Sequence, residues 1–208
     1  MLENIEVLKH NSIRINKSKT IYIDPFKIDT KYSDADIVFC THSHYDHFSV
    51  EDILLVSRID TYFVVTEDCK SSLQMLGIPD EQIITVKPNE NYEVAGVEFI
   101  TVPAYNINKK FHPKENAWVG YVIEIDGNKY YIAGDTDNVK EIRNIECDVA
   151  FIPVGGTYTM NYKEAAELAN TINAKVVVPT HYGCIVGEKE DGEKFKELVE
   201  KDVEILIK

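Results

Sequence analysis

The apolar positions of this chain fall mainly into short runs broken by turn residues, a pattern of strands with helices inserted between them. Residues 5–9 and 12–16 alternate weakly and predict a first hairpin around His10-Asn11. A strand over 19–23 ends at Asp24-Pro25, because Pro25 has no N–H for a sheet ladder. Asp24 is then read as a turn residue, with an acid lining a sheet edge as the alternative. The run Ile37-Val38-Phe39-Cys40 predicts a buried strand. Ser49, with Asp52 three residues on, predicts a helix start that runs to about Ser57. Residues 61–65 read as a strand, and Thr66 caps a helix that Gly77 stops.

Later segments repeat the scheme. Residues 82–86 predict a strand, and 92–94 with 97–102 a hairpin across Ala95-Gly96. Residues 103–117 are irregular and read as a loop over a site, since strands resume at once in a hairpin of 118–125 and 129–133. Strands at 149–153 and 176–179 flank a helix from Asn161, with Glu164 three on, to about Ile172. A last helix over 192–200 leads to a strand over 203–207. Strands with helices on outer faces predict a layered α/β sandwich, here as one domain spanning 1–208.

Composition narrows the class. With 208 residues, 44 % hydrophobic and 27 % charged, the chain suits one globular domain with a substantial core. No apolar run reaches the ~18 residues of a membrane span, and the N-terminus has no signal-peptide pattern, so a cytoplasmic protein is expected. A net charge of −13 argues against nucleic-acid and anionic-membrane partners and leaves a small-molecule substrate, with a homo-oligomer compatible. Cys40, Cys69, Cys147 and Cys184 have no CxxC spacing and read as reduced thiols, mostly packed, Cys184 included.

The chemistry concentrates in Thr41-His42-Ser43-His44-Tyr45-Asp46-His47, directly after a predicted strand. Packing imidazoles and a carboxylate together without a cation is costly, so this stretch points to metal. Two further strand ends carry Gly134-Asp135-Thr136-Asp137 and Thr180-His181-Tyr182-Gly183. In layered α/β folds, loops at one sheet edge build the site. His42 and His44, two apart, can face one ion. Asp46 and His47 point differently and suit a second, with Asp135 bridging and His181 completing the second group. Thr41, Thr180 and Asp137 are candidate partners for the ligating imidazoles.

The segment His42-Ser43-His44-Tyr45-Asp46-His47 resembles the HxHxDH signature of the metallo-β-lactamase fold superfamily, and Asp135 and His181 follow in that family's order. Residues 153–160 and His181-Tyr182-Gly183 are similar to the UlaG-like branch of stand-alone zinc-dependent hydrolases. The resemblance implies a four-layer αββα sandwich of two mixed sheets with a dinuclear metal site at one edge. One departure stands out. The family places a third histidine for the first metal after a strand such as 97–102, and here that place reads Val102-Pro103-Ala104-Tyr105-Asn106. His112 in the loop is one substitute; Asn106 or Tyr105 oxygen, or a weak first site, are the others.

The function expected is a metal-dependent hydrolase acting on an ester-type bond, phosphodiester or lactone among them. Zn²⁺ suits the ligands, as one or two ions, with Mn²⁺ or Fe open. Asp46 is the candidate catalytic proton carrier. The rival readings are a di-iron redox protein and a metal-binding protein without turnover. Blander readings cover the remaining residues: His10 as a surface residue, Trp118 as core, Lys109, Lys110 and Lys114 as solvated, and Gly155-Gly156 as a turn.

Overall fold

The structure is a computed structural model describing residues 1–207. Strands β1 (Ile5–Lys9), β2 (Ser12–Asn16), β3 (Thr20–Ile23), β4 (Ile37–Phe39), β5 (Tyr62–Thr66) and β6 (Ile83–Val86) form one sheet in chain order. The second sheet contains β7 (Asn91–Val94), β8 (Val97–Pro103), β9 (Val119–Ile125), β10 (Asn128–Ile132), β11 (Glu146–Pro153), β12 (Asn173–Thr180) and β13 (Asp202–Val203), in the order β13-β12-β11-β10-β9-β8-β7. Helices α1 (Val50–Val56) and α2 (Glu67–Met75) cover the first sheet, and α3 (Tyr162–Thr171) and α4 (Asp191–Lys196) the second. This is the expected αββα sandwich.

Strands buried on both faces explain the layering. Along β4, Ile37 and Phe39 join the core between the sheets, whereas Val38 and the following Cys40 face α1 and α2. In β11, Val149 and Phe151 face the other sheet, and Ala150 and Ile152 face α3 and α4. Such strands read as continuous apolar runs, because successive side chains enter different cores. Each large apolar side chain so buried contributes about 1.5–3 kcal/mol. The start of α3 follows the sequence signal: the Asn161 side chain accepts from the Lys163 and Glu164 amides, and Glu164 accepts from the Asn161 amide.

The strand directions place the site. In the first sheet β3 to β6 are parallel, and β1 runs the same way because two antiparallel pairings separate it from β3. In the second, β10 to β13 are parallel, and β8 shares their direction across β9. The C-terminal ends of β1, β3, β4, β8, β10 and β12 therefore carry the loops that converge below.

Three expectations shift. The last helix ends at Lys196 rather than running to 200, because the Asn170 side chain accepts from the Glu200 amide and donates to the Leu198 carbonyl. The final strand pairs only at Asp202–Val203; Ile207 then bridges Val7 of the other sheet. Thr66 precedes α2 without capping it, since its hydroxyl donates to Asp68 instead.

Candidate metal centre

The chain has six histidines, and the fold brings all six to one place. They fall into overlapping groups: His42, His44 and His112; His42, His47 and Asp135; and His10, Asp46, His47 and His181. Within each group the ligand atoms lie within 4.8 Å of one another. The residues His42, His44, Asp46, His47, Asp135 and His181 thus come together from three strand ends.

Asp135 sits at the centre. One oxygen lies 3.1 Å from Nε2 of both His112 and His181, and the other 3.3 Å from His47 Nε2. Asp46 Oδ2 lies 3.6 Å from His47 Nε2 and 3.7 Å from His181 Nε2. The two carboxylates are held in their ionised range. Burial opposes their charge, but the hydrogen bond from His10 to Asp46, and the charges of His181 and His47 beside Asp135, outweigh it. Burial pushes His42 toward its neutral form. Ionised carboxylates and neutral imidazoles are the states that bind metal.

His112, from the irregular loop, joins the group formed by His42 and His44. It is 1 % exposed, not a solvated loop residue, and its ring lies 5.1 Å from His42 and 4.9 Å from His44. The loop is pinched by reciprocal bonds: Asn106 N–H donates to the His112 carbonyl (2.8 Å), and His112 N–H donates to Asn106 Oδ1 (3.0 Å). Asn106 Nδ2 donates to Asp137 and to the Tyr158 carbonyl, so its oxygen faces His112 Nδ1 at 3.1 Å. That bond leaves His112 Nε2 for the centre. Asn106 therefore orients the histidine rather than replacing it, and the Tyr105 hydroxyl donates to Glu141 instead.

Asp24 is the residue the turn reading misplaced. It is buried, and it accepts from His47 Nδ1 (2.7 Å), Asn11 Nδ2 (2.8 Å), Thr41 N (2.8 Å) and Thr41 Oγ1 (2.8 Å). A carboxylate cannot donate, so His47 carries its proton on Nδ1 and turns Nε2 to the centre. Thr41 Oγ1 also meets His42 Nδ1 at 3.0 Å, so Thr41 serves as the outer partner expected of it. Asp137 acts one step further out, through Asn106.

His10 is a larger correction. Read as a surface residue, it is 0 % exposed, with Nε2 3.2 Å from Asp46 Oδ2. Its signal lay in topology: β1 runs parallel to β3 and β4, so the residue after β1 reaches the same edge. His10, Asp24 and His181 all have positive φ (57°, 47° and 59°), a conformation unfavourable for these side chains that tends to cluster at functional sites.

Glycines make the close approach possible. A Cβ on Gly155 would lie 2.1 Å from the His181 carbonyl, so this residue admits the His181 backbone. Gly134 (φ 64°) sits where a Cβ would meet the Val119 carbonyl and the Thr41 side chain, between the two halves of the site. Trp118 is buried as expected, yet its ring lies 4.7 Å from His42 and from His44, and Nε1 donates to Asp68. It forms a wall of the centre. Lys109 is half-buried and paired with Asp137, whereas Lys114 is exposed as expected and pairs with Glu141 at the surface. Cys184 is half-buried and accepts from Lys27 Nζ.

A pocket of about 220 Å³ opens beside the cluster, lined by His44, Tyr45, Asp46, Phe111, His112, Asp135, Tyr158 and Ile185. The residues also fit a cation by what they leave unpaired. The Nε2 atoms of His47, His112 and His181 and Asp135 Oδ1 are buried and have no hydrogen-bond partner. Leaving such atoms unpaired costs about 1–3 kcal/mol each, and a bound cation removes that cost.

Comparison with known proteins agrees with this geometry. The beta-lactamase superfamily domain matches residues 4–181. A Thermococcus onnurineus protein named UPF0173 metal-dependent hydrolase is 32 % identical over 98 % of this chain and 95 % of its own. A crystal structure from Parabacteroides distasonis, described as a metal-dependent hydrolase, superposes with a TM-score of 0.83 at 31 % identity, covering 97 % of this chain and 91 % of that one. A Thermotoga maritima structure, described as a Zn-dependent hydrolase of the metallo-β-lactamase superfamily, gives 0.65 at 25 % identity over 98 % and 97 % of the two chains. The chain belongs to the beta-lactamase superfamily and, within it, to the UPF0173 metal-dependent hydrolases.

Proposed function

We propose that this protein hydrolyses an ester-type bond of a small molecule at a two-ion centre. His42, His44 and His112 would hold one ion and Asp46, His47 and His181 the other, with Asp135 beside both groups. The supporting observation is the set of buried, unpaired ligand atoms around Asp135. Zn²⁺ is the metal proposed, because three imidazoles and a carboxylate form a borderline-soft set suited to it. When bound, the ions supply a hydroxide at neutral pH and stabilise negative charge on the scissile group.

The chain's own residues provide the rest. Asp46 lines the pocket and is poised to take a proton from the attacking water and return one to the leaving group. Asp24 and Asn106 fix the rings of His47 and His112. Trp118 and the buried walls limit water around the first group. Tyr45, Phe111, Tyr158 and Ile185 bring apolar and aromatic surface to the mouth, which suits an uncharged organic group on the substrate. The net charge of −13 argues against nucleic acid as that substrate. Three buried free thiols, Cys40, Cys69 and Cys147, suit a reducing, cytoplasmic setting.

The test is a panel of aryl esters, lactones and phosphodiesters assayed with Zn²⁺-loaded protein, with Asp46→Ala and Asp135→Ala as controls. Turnover that both variants abolish is expected. Full turnover in either variant contradicts the mechanism, and a visible absorption band with no hydrolysis points to a di-iron centre.

A further inference from the structure

All three imidazoles around Asp46 stand at similar range from one of its oxygens. Nε2 of His10, His47 and His181 lie 3.2, 3.6 and 3.7 Å from Asp46 Oδ2. In a tetrahedral site with ligand bonds near 2.0–2.1 Å, neighbouring ligand atoms are separated by about 3.4 Å. The three distances bracket that edge length. The four ligand atoms also lie within 4.8 Å of one another.

We propose that His10 is itself a ligand of the second ion, which Asp46, His47 and His181 bind under the function proposed above. The backbone delivers it. The His181 N–H donates to the His10 carbonyl at 3.0 Å, tying the end of β1 to the end of β12 across the two sheets. The His10 and His181 ring centroids are then 3.8 Å apart. Two imidazoles this close and this buried gain little from each other, and a shared cation accounts for their meeting. His10 Nδ1 has no protein partner. The residue borders a cavity of about 180 Å³ with Tyr182, Gly183 and Lys189, roomy enough for a water that accepts this N–H. The second ion thereby has three imidazoles and a carboxylate of its own, independent of Asp135. That set makes it the tighter of the two sites.

The competing arrangement has His10 as a donor to Asp46 only. Two measurements separate them. In wild-type crystals loaded with Co²⁺ and located by anomalous diffraction, His10 Nε2 falls within about 2.2 Å of an ion. A His10 Nε2 more than about 3 Å away, bonded to Asp46, overturns the assignment. In solution, His10→Gln keeps a side-chain amide able to donate to Asp46 while removing the imidazole. Competition with a chromophoric chelator shows the second Co²⁺ weakened by more than the about 100-fold that loss of an outer partner brings, with the first ion unchanged. A second-ion affinity in the variant within about 100-fold of the wild type overturns the assignment and leaves the two-ion centre standing. Wild-type protein that takes up no Co²⁺ at this cluster overturns both.

Discussion

Replacing Asp24 by Asn tests whether this buried carboxylate governs the centre it never touches. The side chain accepts four hydrogen bonds, from His47 Nδ1, Asn11 Nδ2, Thr41 N and Thr41 Oγ1. Asn keeps the shape but offers one acceptor oxygen where Asp offers two, so at least one buried donor faces an NH₂ group. The expected loss in the metal-free protein is about 1–3 kcal/mol, read by urea unfolding. The metal effect is separate. Without a charged acceptor on Nδ1, His47 loses its fixed tautomer and part of its basicity. The second ion should then bind about 10–100-fold more weakly, or about 1.4–2.7 kcal/mol. Chelator competition at constant pH reads this directly, with circular dichroism confirming the fold. A variant that unfolds earlier but binds both ions like the wild type would refute the orienting role and reduce Asp24 to a structural residue.

Other expectations follow from the same geometry. His112→Ala should remove one ion and leave the other, seen as a fall from two ions to one by native mass spectrometry. Gly155→Ala should lower the melting temperature and weaken the second ion together, because its Cβ would collide with the His181 carbonyl; Ala substitution at exposed Gly77, where nothing lies within 4 Å but φ is positive, should affect stability alone. Burial opposes the charge on His47, but Asp135 and Asp24 outweigh it and raise its pKa above the usual histidine value. In the metal-free protein the ring therefore holds a second proton to higher pH than an ordinary histidine, metal binding must displace it, and affinity falls as pH drops. Calorimetry in buffers of different ionisation enthalpy should show that release, and no buffer dependence at pH 7 would contradict it.

The sequence revealed more of the architecture than of the outer parts of the site. Strand runs such as 37–40 and 176–179 are apolar on both faces, so their burial was evident without partners, and their C-terminal ends marked the candidate metal ligands. The capped helix from Asn161 was equally plain, since its signal is local. His10 and Asp24 were misread because their meaning depends on strand direction. Only when β1, β3 and β4 are known to run the same way do the residues after them reach one edge. His112 was ambiguous because the loop holding it is folded by long-range bonds from Asn106 to Asp137 and Tyr158, which no local pattern encodes. Short helix ends and the last strand failed for a related reason: Asn170 and Val7, distant in sequence, decide them.

In the proposed centre the six histidines, Asp46 and Asp135 gather around two ions. Its most direct test is elemental analysis of protein purified without added metal, repeated after equilibration with Zn²⁺ and removal of excess. About two ions per chain are expected after loading, falling to about one or fewer in Asp135→Ala, with the fold retained in both. Fewer than about one ion per chain in folded wild-type protein would contradict that centre.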